Sequence, residues 1–287
     1  VVSRVRRLIG QKKVGHAGTL DPMATGVLLV CLGQATRLIE YLVPGRKQYR
    51  ATIRFGETTD TLDADGQLID THSTDHLNET LLRQLLPNFL GDIEQIPPLF
   101  SAIKKDGRPL YKLARAGQTV ELTPRAITID SLTWVDWEPP LLTLDIVCSA
   151  GTYIRSLARD LGEVANCGAH LTQLIRTASG SWSIDNAIPL NQLEAAQEQW
   201  GQHLYPLDAM ITHLPQVTLT ETKATDIYHG RQIELDPADI PVHRNNQTDE
   251  TVLSAYTPNG NFLAILTPIP ASDKLWKPKK VFSSGGS

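Results

Sequence analysis

A glycine-rich loop near the start of the chain presents a carboxylate on a constrained backbone. Residues 15–26 read Gly-His-Ala-Gly-Thr-Leu-Asp-Pro-Met-Ala-Thr-Gly, and the glycines permit tight turns and close approach of a ligand. Pro22 restrains Asp21, the residue before it, to an extended conformation. A carboxylate held on a stiff loop can act as a nucleophile or stabilise developing positive charge. The alternative is a simple Asx turn, because Asp-Pro sequences form turns without any catalytic role.

Two further segments supply a cation and an aromatic ring. Residues 149–155, Ser-Ala-Gly-Thr-Tyr-Ile-Arg, join a predicted strand to a predicted helix, and Arg155 could pair with a carboxylate and keep it ionised. Tyr49 lies on the inward face of a predicted strand, where its ring could stack on an unpaired base. Taken singly, they are better explained as a surface arginine and a core tyrosine.

Apolar periodicity predicts the elements that position these groups. Residues 47–55 predict a half-buried strand, because the apolar residues Tyr49, Ala51, Ile53 and Phe55 alternate with polar ones and Lys47 shares their parity at the start. Further strands are predicted at 27–32, 126–135, 141–149 and 171–178. Helices are predicted at 1–9, 35–42, 79–86, 110–116, 152–165 and 190–199.

The texture of the sequence changes after about residue 208. Short β-type runs at 216–220, 232–235, 251–256 and 262–267 are separated by Gly, Pro and Asn turns. These runs predict a large domain at 1–208 and a small β-rich domain at 209–275. The lysine-, serine- and glycine-rich residues 276–287 are predicted to form a disordered tail.

Charge is distributed unevenly along a chain whose formal net charge is -4. Residues 1–54 hold ten of the 27 Lys and Arg residues but only two of the 31 Asp and Glu residues. A basic segment on an acidic body can bind a polyanion locally, and a solvated basic face is an equally good explanation of charge alone.

Composition argues against several classes of protein. The longest apolar run, residues 27–32, is too short to span a bilayer, and the basic start does not resemble a secretion signal. Three scattered cysteines predict neither a disulfide framework nor a zinc site and fit a reducing cytoplasm. Asp63 and Asp65 hint at a calcium loop, but its end positions would be Thr61 and His72, so a plain acidic turn is preferred. The sequence contains neither a Walker loop nor a Rossmann fingerprint, so it does not predict a nucleotide cofactor.

Four segments taken together resemble the TruB family of tRNA pseudouridine synthases. They are the loop at residues 15–28, Lys-Gln-Tyr-Arg at 47–50, Pro-Pro-Leu-Phe-Ser-Ala-Ile-Lys at 97–104 and Gly-Thr-Tyr-Ile-Arg at 151–155. The match runs in order from residue 1 to about 180, and the C-terminal region resembles the family's small PUA-like domain more weakly. The resemblance implies an α+β fold, with a mixed-sheet catalytic domain at 1–208 and an RNA-binding PUA-like domain at 209–275. It also implies a first strand that would precede Val1.

The family's activity defines the expected reaction and partners. Its members isomerise uridine 55 in the T loop of tRNA, which breaks a glycosidic bond and forms a carbon–carbon bond after the base has flipped out. The resemblance therefore implies a cytoplasmic enzyme that binds the T-arm stem-loop of tRNA. It implies no metal, cofactor, membrane or obligatory protein partner, and a monomer.

The resemblance also assigns roles to individual residues. Asp21 matches the catalytic aspartate, Tyr49 the tyrosine that stacks on the target base and is proposed to move a proton, and Arg155 the arginine that pairs with the aspartate. The residues expected to bind substrate are His16, Tyr153, Leu174, Lys12 and Lys13. Ile175 departs from the family pattern, which has arginine there.

Three other functions compete with this assignment. A non-catalytic RNA-binding or tRNA-folding protein would keep the basic helix but would not need Asp21. A guide-RNA-dependent synthase of the dyskerin type would usually have a larger PUA domain and more basic tails. A two-carboxylate hydrolase is less favoured, because no second carboxylate shares so constrained a loop.

Overall fold

The computed structural model describes residues 1–42, 45–101, 104–105, 108–109, 122–236, 238, 240, 252–270, 272 and 274–282. The chain divides into two compact units. The first unit comprises residues 1–17, 30–43 and 188–287, and the second comprises residues 18–29 and 44–187. Among the described residues, no helix is long and apolar enough to cross a membrane.

The strands follow one another along the chain with helices interspersed. The strands are β1 (Val14–Ala17), β2 (Thr25–Gly26), β3 (Leu29–Leu32), β4 (Lys47–Phe55), β5 (Glu57–Thr59), β6 (Leu68–Thr71), β7 (Gly91–Gln95), β8 (Lys104–Lys105), β9 (Arg108–Pro109), β10 (Arg125–Glu138), β11 (Leu141–Cys148), β12 (Ala169–Ser179), β13 (Trp182–Ser183), β14 (Gln216–Thr218), β15 (Ile233–Glu234), β16 (Leu253–Tyr256), β17 (Phe262–Pro268) and β18 (Leu275–Val281). The α-helices are α1 (Val2–Leu8), α2 (Glu79–Leu85), α3 (Ile154–Val164), α4 (Leu190–Ala195) and α5 (Glu221–Tyr228). Short 3-10 helices occupy Gly33–Tyr41, Leu86–Phe89, Ile184–Asn186, Gln197–His203 and Leu207–Met210.

A mixed sheet forms the centre of the second unit, in the order β13-β12-β4-β11-β10-β7. These neighbours pair antiparallel, while β2 pairs with β12 in parallel. Strand β4 lies in the interior because its alternate residues Ala51, Ile53 and Phe55 are buried, as the period of two requires. The mixed sheet predicted from the sequence is therefore confirmed.

Helix α3 packs on β12 through a buried face. Leu157, Ala158 and Leu161 are each at most 1% exposed, and burial of each leucine contributes roughly 1.5–3 kcal/mol. The helix lies close to the sheet because Gly162 has no side chain. A Cβ atom there would lie 2.2 Å from the backbone nitrogen of Ala169.

The first unit is built around a second sheet, in the order β14-β16-β17-β18-β15. Helix α5 contributes Ala224 and Ile227 to a core that also contains Leu253, Leu266 and Trp276. The predicted β-rich C-terminal region is confirmed, although α5 was not expected within it.

Several sequence predictions differ from the structure. Residues 276–287 were expected to be disordered, but β18 runs to Val281, because Trp276 and Phe282 are 4% and 2% exposed and anchor this lysine-rich strand. The two compact units divide elsewhere than at residue 208, because residues 1–17 and 30–43 group with the C-terminal region. The helix expected at 35–42 is a 3-10 helix, and the helix expected at 110–116 lies outside the described residues.

Candidate active site

The loop that carries Asp21 is fastened to β12 by one arginine. Arg176, only 1% exposed, donates to the carbonyl oxygens of Val27 at 2.7 Å, Thr19 at 3.3 Å and Gly18 at 3.2 Å. Its own carbonyl oxygen accepts from the Val27 N–H at 2.8 Å. The guanidinium therefore takes the place of a neighbouring strand for a loop that makes only a two-residue pairing with β12.

Gly26 is required where this loop meets the sheet. Its φ of +98° lies in the region that side chains disfavour, and a Cβ atom would lie 2.2 Å from the carbonyl oxygen of Arg176. Glycine therefore fits this position both for its backbone conformation and for the close approach of the two segments.

Asp21 and Arg155 form a bidentate ion pair. Nε of Arg155 donates to Oδ2 of Asp21 at 3.0 Å, and Nη2 donates to Oδ1 at 2.7 Å. The carbonyl oxygen of Asp21 accepts from Ala24 N–H at 2.9 Å, so the turn at this Asp-Pro sequence uses the backbone and both carboxylate oxygens face the guanidinium. Paired N–H donors of this kind fix a carboxylate in direction as well as in position.

Arg155 is buried rather than exposed on the helix surface. Its side chain is 5% exposed, and it also donates to the carbonyl oxygens of Thr61 and Phe100, each at 3.0 Å. The arginine therefore links Asp21 to two other segments of the second unit. The surface position favoured for Arg155 on its own is wrong.

Asp63 places a second buried carboxylate beside the same arginine. Oδ2 of Asp63 lies 3.5 Å from Nη1 of Arg155, and its side chain is 5% exposed. Thr61 Oγ1 donates to Oδ1 of Asp63 at 2.5 Å, and the Asp65 N–H donates to the same oxygen at 3.2 Å. The prediction of a plain acidic turn did not anticipate this role. Asp63 does not share the glycine-rich loop of Asp21, but it lies beside the same arginine in the folded chain.

The electrostatics of Asp21 reflect both burial and pairing. Burial raises the pKa of the Asp21 carboxyl above its ordinary value, the Arg155 guanidinium offsets part of that rise, and the nearby Asp63 carboxylate adds to it. The carboxylate is thus less stabilised than a fully solvated one and correspondingly more basic.

Tyr49 and Tyr153 complete the aromatic part of the site. Tyr49 stands opposite Ile146 of β11 and Arg176 of β12. Burial raises the pKa of Tyr49, and its hydrogen bond from Arg176 opposes that shift. Burial likewise raises the pKa of Tyr153 above its ordinary value.

The remaining expected residues fall into two groups. Leu174 on β12 is 5% exposed and belongs to the apolar cluster against which Tyr49 packs. His16, Lys12 and Lys13 belong to the first unit. Both lysines are exposed, while Nδ1 of His16 is buried with no hydrogen-bond partner among the described residues. The second unit thus brings Asp21, Tyr49, Tyr153, Leu174 and Arg155 together, without the three residues of the first unit.

Lys47 is a further basic residue that the sequence did not assign to the site. It is 9% exposed, stands two residues before Tyr49 on β4, and donates to Ser179 Oγ at 2.8 Å. Burial, and then the charge of Arg176, lower the pKa of Lys47. Its inward parity on the alternating strand was the available signal. No group of three or more His, Cys, Asp or Glu side chains in the described chain is arranged to hold a metal ion.

The fold resembles those of chains in two solved protein complexes. A chain of a Cbf5–Nop10–Gar1 complex superposes with a TM-score of 0.72 at 24% identity, over 98% of this chain and 80% of that chain. A chain of an H/ACA RNP bound to a substrate RNA containing 2'-deoxyuridine gives a TM-score of 0.71 at 22% identity, with coverage of 98% and 80%. At these identities the likeness concerns the fold alone.

Sequence comparisons identify the family. Residues 6–154 match the N-terminal domain of the TruB family pseudouridylate synthases, and residues 155–215 match the tRNA pseudouridylate synthase B C-terminal domain. The tRNA pseudouridine synthase B of Dehalococcoides mccartyi is 42% identical over 99% of this chain and 92% of its own length. The protein of the same name from Pseudomonas aeruginosa is 44% identical over 83% of this chain and 79% of its own length. The one from Burkholderia mallei is 45% identical over 81% of this chain and 77% of its own length. The chain belongs to the TruB family of pseudouridylate synthases.

Proposed function

We propose that the chain isomerises uridine to pseudouridine in tRNA, at position 55 of the T loop. The observation that carries this proposal is the bidentate Asp21–Arg155 pair, which joins the two segments that match the family models. Relatives 42–45% identical that are named tRNA pseudouridine synthase B support tRNA as the substrate. The choice of the T loop follows from the resemblance in the glycine-rich loop.

The reaction asks for few chemical groups, and the site supplies them. The N1–C1′ bond breaks, the uracil turns, and a C5–C1′ bond forms, while the proton on C5 is lost and N1 gains one. Atoms and electrons balance without an oxidant, water or nucleotide cofactor. Asp21 can attack C1′ or C6, or remove a proton on a path through a glycal, and these routes share the need for an ionised carboxylate. Arg155 keeps that carboxylate ionised against the cost of burial.

Tyr49 is the proposed platform and proton carrier. Its ring stands on the same strand face as the apolar cluster, and its hydroxyl accepts a hydrogen bond from Arg176. A flipped uracil costs a few kcal/mol to unstack, and stacking on an aromatic ring offsets that cost. Leu174 and Tyr153 would line the same pocket.

The first unit supplies the proposed RNA contacts outside the pocket. Lys12 and Lys13 are exposed and can contact phosphates. Nδ1 of His16 has no hydrogen-bond partner within the part of the chain that the structure describes, and it can bond to an RNA group. The β-rich C-terminal sheet would act as the PUA-like RNA-binding domain, and the chain would work as a cytoplasmic monomer without a protein partner.

The test is an assay of the purified chain on a T-arm stem-loop. Pseudouridine should form in the wild type, and Asp21→Asn should abolish it while the affinity for the stem-loop is retained. Asp70→Asn, a change at a 62% exposed carboxylate, is the matched control and should leave the rate unchanged.

Three outcomes separate the competing functions. Product at position 55 from the chain alone supports the proposal, and product only after guide RNA is added identifies a guided synthase. Binding without product under both conditions identifies an RNA-binding protein.

Two further measurements test the finer parts of the proposal. Size-exclusion chromatography with light scattering tests whether the chain is a monomer, and an anticodon-arm stem-loop of equal length tests whether the chain selects the T loop.

A further inference from the structure

Gln95 holds the backbone at the start of α3 from a distant part of the sequence. It is the last residue of β7, which ends one side of the mixed sheet, and it is 2% exposed. Its Nε2 donates to the carbonyl oxygen of Tyr153 at 3.1 Å, and its Oε1 accepts from the Tyr153 N–H at 2.8 Å. One carboxamide therefore satisfies both backbone groups of a single residue.

This contact occurs where regular pairing is not possible. Pro97 and Pro98 soon follow β7 and have no N–H to donate to a sheet ladder. The first N–H groups of a helix also lack partners within the helix. The Gln95 carboxamide provides a partner there, because its donor and its acceptor face the carbonyl oxygen and the N–H of the extended residue Tyr153.

Tyr153 is two residues from Arg155 at the start of the same helix. By holding the Tyr153 backbone, Gln95 therefore fixes the position from which both side chains extend. The Tyr153 carbonyl oxygen also accepts from the Leu157 N–H at 3.1 Å, which makes this peptide the first fixed point of α3. The segment after Gln95 then contacts the same helical turn, through Arg155 to the Phe100 carbonyl oxygen at 3.0 Å and through Ser156 to the Ile96 carbonyl oxygen at 2.8 Å.

We propose that Gln95 is a positioning residue for the reaction: by binding both the N–H and the carbonyl oxygen of Tyr153, it aims Tyr153 and Arg155 at Asp21. This role rests on the proposed function. Gln95 is too buried to reach RNA, so it acts on the chemical step rather than on binding. A displacement of about 1 Å in a catalytic group costs roughly 10²-fold in rate.

Gln95→Met and Gln95→Glu give the sharpest test. Methionine keeps the volume and removes both hydrogen bonds. We expect the single-turnover rate to fall roughly 10- to 100-fold with KM and RNA affinity unchanged, because misplacement affects the chemical step. Glutamate keeps an acceptor at neutral pH, and only its protonated form can also donate to the Tyr153 carbonyl oxygen. The deficit of Gln95→Glu relative to wild type should therefore shrink as pH falls, and the deficit of Gln95→Met should not.

Ser156→Ala is the matched control. It removes one buried hydrogen bond between the same two segments but leaves the Tyr153 peptide and Arg155 untouched. It should lower the melting temperature without lowering the single-turnover rate. The proposal is overturned if Gln95→Met reacts at the wild-type rate, or if all three variants lose rate in proportion to their loss of melting temperature.

A readout without activity separates this inference from the proposed function. The Asp21 carboxyl can be titrated by carbon-13 NMR in wild type and in Gln95→Glu and Gln95→Met. Misplacement of Arg155 should raise the pKa of Asp21, since the guanidinium lowers it in the intact chain. An unchanged Asp21 titration would overturn the inference whether or not the wild type forms pseudouridine, whereas an inactive wild type with a shifted titration would count only against the proposed function.

Discussion

Replacement of Arg176 by methionine should separate the Asp21 loop from the sheet. The substitution keeps much of the apolar stem and removes the three side-chain hydrogen bonds to the loop, while the backbone bond from Val27 N–H to the carbonyl oxygen of residue 176 remains. Of the three carbonyl oxygens that lose a donor, those of Gly18 and Thr19 belong to exposed residues and can bind water, whereas Val27 is 3% exposed. One buried acceptor left without a donor costs about 1–3 kcal/mol.

The activity should fall more than this stability loss explains. Arg176 also donates to Tyr49, so its removal frees both the loop that carries Asp21 and the proposed stacking residue. A loop displaced by about 1 Å would lower kcat roughly 10²-fold. Urea unfolding would measure the free energy, and single-turnover assays at a temperature where the variant is fully folded would measure the rate.

Arg50→Met is the matched control for this experiment. Arg50 stands opposite Ile175, the neighbour of Arg176, but it is 50% exposed and pairs with Asp145 at 2.8 Å. Loss of an exposed pair costs about 0–1 kcal/mol, so both stability and rate should stay near wild type. If a folded Arg176→Met variant forms pseudouridine at the wild-type rate, the loop does not depend on this arginine and the reasoning fails.

Two further predictions concern the same loop and pair. Gly26→Ala should lower the free energy of unfolding in urea by about 1–3 kcal/mol more than Gly91→Ala. Both positions have a positive φ, but only a Cβ atom at Gly26 would meet a backbone oxygen, at 2.2 Å. Equal losses of stability would contradict the steric argument. Since burial raises the pKa of Asp21 and the reaction needs its ionised form, the rate should decline as pH falls through a value above the ordinary carboxyl range of about 4. Asp63→Asn removes a nearby negative charge, so this acidic limb of the pH–rate profile should move to lower pH, and a shift in the opposite direction would contradict the assigned electrostatics.

Local pattern predicted the fold well where one face of an element is buried. The alternation at residues 47–55 predicted β4, and the apolar spacing at 152–165 predicted α3, because each pattern is imposed by a single adjoining core. The strand β18 was missed for the opposite reason. Its lysines dominate the local composition, while two aromatic side chains that pack in the first unit determine its structure.

The site was predictable only as far as motif resemblance reached. Asp21, Arg155 and Tyr49 occur in segments long enough to be compared with a family. Asp63 occurs in a segment that favours an ordinary acidic turn, and nothing in the sequence around Gln95 marks it out. Asp63 lies beside Arg155, although the two residues are 92 positions apart in the sequence. Such contacts have no period or spacing, because they arise only after the sheet and α3 have formed.

Arg155 and Arg176 illustrate why residue type alone could not assign roles. Both are buried at 5% and 1% exposure, and both bind the loop that contains Asp21. Arg155 directs its fork at a carboxylate, so its charge affects proton affinity at the reacting group. Arg176 directs its donors at neutral carbonyl oxygens, so its main effect is on geometry. A lysine at position 155 would keep the positive charge but lose the paired hydrogen bonds that orient the Asp21 carboxylate. A lysine at position 176 would lose most of the three hydrogen bonds to the loop carbonyl oxygens. The two effects differ because the two arginines bind different acceptors.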